Sequence, residues 1–346
     1  FTANSNGGTP LYRIGLRNLR RGVQVERLTT FESGVRSYDA GPEGIAYVLT
    51  EVANPYELYA ARADGSRARA LSDFNASWLE GVALSQPVRE RLTRPDGTLV
   101  EYWVMEPTRR EEGRTYPLML QIHGGPSAMW GPGEATMWLE FQYFTAMGYG
   151  IVYANPRGSG GYGREFQAAN YRDWGAGPAG DVLAAAERAA ALDWADPDRQ
   201  VVTGGSYAGY LTAWIVGNDQ RFKAAFAQRG VYDLETFMGE GNAWRLIPNH
   251  FGGYPWEEGM MEILERESPQ HYVENIRTPL LIKHGDVDLR TGVIQSELLY
   301  KSLKILERPV EYVRYPRASH EMSRSGEPLH RMDRILRIHE FFSRFI

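Results

Sequence analysis

Six short and almost uninterrupted apolar runs constrain the fold more than any other feature of this chain: Leu118–Ile122, Gly150–Ala154, Val201–Thr203, Ala224–Ala227, Leu280–Lys283 and Val310–Arg314. A strand with one wet face alternates apolar and polar residues, whereas a strand covered on both faces reads as a continuous apolar run. Helical patterns at 180–192, 210–218 and 293–306 separate some of these runs, and another at 329–346 closes the chain. Strands and helices in alternation predict an α/β fold, a mostly parallel sheet with helices on both faces. Ligands of such sheets bind beyond the carboxyl ends of the strands, so chemistry is sought there.

One strand end carries a serine. Residues Val201-Val-Thr-Gly-Gly-Ser-Tyr-Ala-Gly-Tyr210 pass from an apolar strand through a glycine-rich bend into a segment with helical potential. A nucleophile elbow needs small residues two before and two after the serine, because the turn brings those positions against neighbouring chain. Around Ser206 they are Gly204 and Ala208, so alanine takes the second glycine position and Gly209 follows one residue late.

A serine hydroxyl is a poor nucleophile at neutral pH unless an imidazole accepts its proton and a carboxylate fixes the imidazole tautomer. Two further strand ends supply those groups. His284-Gly-Asp-Val-Asp-Leu-Arg290 follows one, and Tyr315-Pro-Arg-Ala-Ser-His320 follows the other. Ser206, Asp288 and His320 therefore stand in the chain order of an α/β-hydrolase. Spacing leaves Asp286 as the alternative acid, although the farther Asp288 better suits a loop that must reach the imidazole. His271, His330 and His339 fall in helical patterns and read as structural, and His284 reads as a packing or hydrogen-bonding residue at its strand end.

The fourth element is Ile122-His-Gly-Gly-Pro126, where glycines let the backbone approach a reacting group. The N–H groups of Gly125 and Tyr207 are the expected oxyanion donors, and losing one such donor costs roughly 2.7–4 kcal/mol. No metal or organic cofactor is required by this chemistry. Proton transfer to neutral His320 is expected to fail on the acid side with an apparent pKa of roughly 6–7.

Residues 1–85 read differently, as short alternating strands with turn residues between them. Pro10-Leu-Tyr-Arg13 resembles Tyr56-Glu-Leu-Tyr59, and Leu28-Thr-Thr-Phe31 resembles Leu71-Ser-Asp-Phe74. The offsets fall within the roughly 40–50 residues of a β-propeller blade. Two blades do not close a ring, so the remainder is expected on a preceding segment or a separate chain. A hairpin follows, from Arg89–Thr93 through Arg94-Pro-Asp-Gly97 to Leu99–Met105. The expected organisation is an incomplete propeller at 1–85 and a catalytic domain at 86–346. The start at Phe1 reads as the middle of a domain, the mark of a fragment or processed product.

With 38 basic and 43 acidic residues and a net charge of −5, no single-sign run points to nucleic acid or an anionic membrane as a partner. The Arg17, Arg20 and Arg21 cluster reads as a solvated loop. No apolar run reaches the roughly 18 residues of a membrane helix. The chain has no cysteine, which excludes disulfides and thiolate metal sites and leaves the compartment open.

Together, His123-Gly-Gly-Pro126, Asn155-Pro-Arg-Gly-Ser-Gly-Gly-Tyr-Gly163, Gly204-Gly-Ser-Tyr-Ala-Gly209, His284–Arg290 and Tyr315–His320 resemble the catalytic domain of the prolyl oligopeptidase family, near its acylaminoacyl-peptidase and dipeptidyl-peptidase branches. The resemblance runs from about Pro117 to the last residue. It implies an α/β-hydrolase domain preceded by the last part of a β-propeller, and a serine peptidase acting on short peptides through an acyl-enzyme. It also implies Asp288 as the acid, a role for Arg290 in holding a substrate carbonyl, and a scaffold role for the 155–163 loop that includes Arg157. The sequence departs from the family pattern at Ala208 and at Thr291-Gly292, where Val-Pro is common. A carboxylesterase and a non-catalytic binding protein are the competing readings on the same scaffold. A homo-oligomer and a separate N-terminal propeller chain are both compatible with the sequence as partners.

Overall fold

Two antiparallel units open the chain. Strands β1 (Tyr12–Ile14) and β2 (Val25–Arg27) pair with each other, and β3 (Gly34–Gly41), β4 (Gly44–Thr50), β5 (Glu57–Ala61) and β6 (Arg69–Ala70) form a four-stranded sheet in that order. The structure, a computed structural model, describes residues 1–15 and 23–346, so the Arg17, Arg20 and Arg21 cluster lies outside the described residues. The two sequence copies make equivalent bonds. Leu28 N–H donates to the Leu11 carbonyl at 2.8 Å, and Leu71 N–H donates to the Leu58 carbonyl at 2.7 Å. In each copy a hydroxyl then accepts from the same leucine's amide, Thr29 Oγ1 from Leu11 at 2.9 Å and Ser72 Oγ from Leu58 at 2.8 Å.

The remaining strands form one eight-stranded sheet. They are β7 (Val88–Thr93), β8 (Leu99–Met105), β9 (Tyr116–Ile122), β10 (Gly150–Asn155), β11 (Ala195–Gly205), β12 (Ala224–Gln228), β13 (Leu280–Gly285) and β14 (Val310–Tyr315). Their spatial order is β14-β13-β12-β11-β9-β10-β8-β7. The predicted hairpin supplies the antiparallel edge β7–β8, β8 pairs antiparallel with β10, and β9 to β14 pair in parallel with one another.

Side chains of the inner strands alternate between two cores. Leu118, Leu120, Ile122, Val202 and Ile282 face one side, against the helices Ala176–Ala190, Tyr207–Asn218 and Val293–Ile305. Met119, Val201, Phe226 and Leu281 face the other, against Trp138–Ala146 and the closing helix Pro328–Ser343. Both faces are covered, so the inner strands read as nearly continuous apolar runs, with Gln121, Thr203 and Lys283 among the few buried polar residues. Each fully buried Leu or Phe contributes about 1.5–3 kcal/mol.

Three differences from expectation concern element extent. Strand β11 begins at Ala195 rather than Val201, with a break in register between Asp196 and Gln200. The helix expected from Tyr210 starts at Tyr207, directly after the serine. Helices Trp138–Ala146, Leu234–Phe237, Leu246–Phe251 and Met260–Glu267 have no counterpart in the sequence reading, and the helical pattern around His271 takes the form of a 3₁₀ segment at Pro269–Asn275. In the first of these, buried Glu140, Gln142 and Thr145 interrupt the apolar stripe that would have announced a helix.

Candidate active site

The chain leaves β9 toward β10 on one side and later returns to β11 on the other, which opens a crevice beyond the ends of β9 and β11. Ile122 and Gly204 are paired at that end, so the loops after them emerge side by side. Ser206 occupies the bend with φ 64° and ψ −127°, a conformation that few residues other than glycine adopt. Its N–H donates to the Gln228 carbonyl of β12 at 2.9 Å, which ties the bend to the neighbouring strand.

The small residues around the bend have distinct reasons. A Cβ on Gly204 would lie 2.5 Å from the Ala208 Cβ, so the methyl of Ala208 fills space that Gly204 leaves free. A Cβ on Gly209 would lie 2.7 Å from the Gln228 carbonyl oxygen. The glycine that arrives one residue late in the motif is therefore the one against which β12 packs.

The loops after β13 and β14 bring an acid and an imidazole to this serine. His320 Nε2 lies 3.0 Å from Ser206 Oγ, and His320 Nδ1 lies 2.7 Å from Asp288 Oδ2. With Nδ1–H donating to the carboxylate, Nε2 is left to accept the serine proton. Asp288 Oδ1 accepts from the Arg290 and Thr291 amides at 2.9 and 3.0 Å, and the Thr291 hydroxyl lies 3.2 Å from Oδ2. Burial opposes ionisation of Asp288, but the bonds from His284, His320 and Thr291 outweigh it and hold the carboxyl far below its ordinary range. Burial pushes His320 down to about 4, against the opposing pull of Asp288.

The other candidates are placed as follows. Asp286 pairs with Arg314 at 2.8 Å on the surface, away from His320. His284 is fully buried, bonded to Ser296 Oγ at 2.7 Å and the Thr291 carbonyl at 2.8 Å. Gly125 and Tyr207 border the same cavity as Ser206. Among the described residues neither the Gly125 nor the Tyr207 N–H donates to another protein group. Arg290 lines the cavity, half exposed, and pairs with Glu321 at 3.1 Å. Arg157 is bound by Asp181 and Asp96, each at 2.9 Å, and Asn155 brackets Trp130 through both its amide atoms, consistent with a scaffold.

The cavity measures about 290 Å³. Its lining includes the apolar side chains of Trp174, Tyr207, Val231, Phe237 and Leu246 and the guanidinium groups of Arg229, Arg290, Arg324 and Arg334. Sequence reasoning missed Arg229 and the apolar residues of 231–246. The strand-end rule applied to β12 would have found Arg229, which directly follows Gln228.

Residues 135–346 match the profile of the Prolyl oligopeptidase family, more than half of the chain. The chain belongs to the prolyl oligopeptidase family. Its fold is that of an α/β-hydrolase, a mostly parallel sheet flanked by helices. Among family relatives, an uncharacterized peptidase named YuxL from Bacillus subtilis is 36% identical, over 98% of this chain and 51% of its own. A probable dipeptidyl-peptidase 5 from Emericella nidulans is 32% identical over 64% of this chain and 31% of its own. An acylaminoacyl peptidase solved with the inhibitor Z-Gly-Gly-Phe-chloromethyl ketone superposes with a TM-score of 0.88 at 28% identity, covering 99% of this chain and 53% of that one. The chain thus spans about half the length of two of these relatives and a third of the other.

Proposed function

We propose that this chain carries the catalytic half of a serine peptidase that hydrolyses short peptides, of acylaminoacyl- or dipeptidyl-peptidase type. The observation that carries the reading is the unbroken relay from Asp288 through His320 to Ser206, with both hydrogen bonds at 3.0 Å or less. In this reading Ser206 Oγ attacks the peptide carbonyl carbon while His320 Nε2 takes the hydroxyl proton. Asp288 keeps the imidazole in the correct tautomer and stabilises the imidazolium. The amides of Gly125 and Tyr207 receive the oxyanion. Collapse of the tetrahedral intermediate breaks the C–N bond, His320 returns the proton to the leaving amine, and an ester to Ser206 remains for water to hydrolyse by the same path.

Residues 1–85 are the last part of a propeller and residues 86–346 the catalytic domain. The equivalent bonds of the two N-terminal copies support a repeated blade, and the relatives' greater length leaves room for the others. Arg290 is proposed to hold a substrate carbonyl, which its position on the cavity supports. The apolar part of the lining favours an apolar substrate residue near the scissile bond. Hydrolysis of a library of free-amino and blocked short peptide amides, read by mass spectrometry, tests the reading. Sustained kcat/KM on amides is expected, and turnover confined to p-nitrophenyl esters would replace the peptidase with an esterase.

A further inference from the structure

Four arginines line the cavity beside Ser206, and three of them have acidic partners. Arg290 and Arg324 share Glu321, at 3.1 and 2.5 Å, and Arg334 pairs with Glu140 at 2.6 Å. Arg229 differs. It is only 5% exposed, and among the described residues no carboxylate lies within ion-pair distance of it. Its Nη1 donates to Ser323 Oγ at 3.0 Å, and its Nε is buried without a hydrogen-bond partner. A charge held out of water is costly unless it is paired, and a buried unsatisfied donor adds to that cost.

The backbone maintains this arrangement at further cost. Arg229 sits at φ 43°, left-handed for a residue with a Cβ. It is pinned there by its N–H to the Lys283 carbonyl at 2.8 Å and by the Thr291 hydroxyl to its own carbonyl at 3.0 Å. The guanidinium lies against Gly205, the residue before the nucleophile, where the lack of a side chain leaves it room. Thr291, one of the two positions where the sequence leaves its family pattern, thus donates its N–H to Asp288 and its hydroxyl to the carbonyl of this arginine. A strained, buried cation facing a cavity without a counter-charge is built to receive one.

We propose that Arg229 is a carboxylate-binding residue of the substrate cavity, so that the preferred peptides carry a carboxylate close to the scissile bond. A guanidinium offers two parallel N–H groups to the two oxygens of a carboxylate, a charge-assisted pair stronger than neutral hydrogen bonds. The carboxylate is either the free C-terminus of a short peptide or an Asp or Glu side chain. The proposal rests on the peptidase reading for its substrate class, but the binding itself does not require turnover.

The test is calorimetric binding to the intact protein carrying Ser206→Ala, with two pairs of ligands: N-acetyl-Ala-Phe-Ala as acid and as C-terminal amide, and N-acetyl-Ala-Phe-Glu-amide against its Gln counterpart. At least one acidic ligand should bind about 10-fold more tightly than its neutral partner, and the pair that discriminates identifies the source of the carboxylate. Arg229→Gln should bring that pair to parity while the neutral ligands keep their affinity. Arg229→Lys, which keeps the charge without the fork, should fall between and serves if the glutamine variant does not fold. Equal binding within both pairs in the Ser206→Ala protein overturns the proposal, as does discrimination that survives both Arg229 substitutions. Failure of the peptidase reading shows separately, as wild-type protein that cleaves no peptide amide.

Discussion

In the proposed mechanism His320 must be neutral to accept the Ser206 proton, and its surroundings set the pH at which it becomes so. Burial disfavours the imidazolium and the Arg229 and Arg290 charges add to that effect, while Asp288 opposes them; the balance leaves His320 near about 4. A lowered pKa keeps the neutral base present above it and loses it as pH falls through it. The acid limb of kcat/KM for a neutral peptide amide should therefore lie below the ordinary imidazole value of about 6.5 and not at the roughly 6–7 expected from sequence. A limb at or above 6.5 would show that solvent reaches the imidazole. The two aspartates after β13 separate in the same assay. Asp288→Asn should lower kcat by about 10⁴-fold through the wrong tautomer. Asp286→Asn should leave kcat within about twofold, because the Arg314 pair is a surface contact worth about 0–1 kcal/mol.

At the scale of elements, the elbow depends on how closely β12 approaches the serine's helix. Gly209→Ala would push a methyl into the Gln228 carbonyl, loosening the strand that also accepts the Ser206 amide. It should cost about 1–3 kcal/mol in urea denaturation and slow active-site labelling. Ala208→Gly should cost about 0.5–1 kcal/mol through helix entropy and leave labelling unchanged. Ala208 is fully buried, and the Ser206–His320 distance of 3.0 Å stands with its methyl in place. What the sequence showed and hid follows from burial. Strands covered on both faces announce themselves as apolar runs, and their carboxyl ends carry Ser206, Asp288 and His320, so the candidate site that the structure brings together was legible from the sequence. The short helices between Leu234 and Glu267 were not, because each spans too few turns for a periodic pattern to stand out. They are fastened by single buried side chains instead. Gln295 accepts from the Tyr232 and Asp233 amides, and Glu267 accepts from the Trp174 and Gly175 amides. Side chain to backbone bonds of that kind leave no periodic trace. Arg229 escaped notice for another reason: its significance lies in the carboxylate it lacks, which only a structure displays.

Across the whole molecule, the N-terminal sheet is joined to the hydrolase sheet by specific bonds. Val52 N–H donates to the Pro132 carbonyl at 2.7 Å, and the Gln142 amide donates to the Val52 and Ser85 carbonyls at 3.1 and 2.8 Å. The segment carrying Pro132 leads directly from the Gly125 loop into the Trp138–Ala146 helix, so the N-terminal sheet braces the proposed oxyanion loop from outside. All of the proposed chemistry then converges on one hydroxyl. Treatment of the intact, folded protein with a fluorophosphonate, followed by peptide mapping, asks whether that hydroxyl is activated. One adduct is expected, on Ser206, lost in Ser206→Ala and formed at least about 10³-fold more slowly in His320→Ala. An adduct on another residue, or none in folded wild-type protein, would contradict the proposed chemistry.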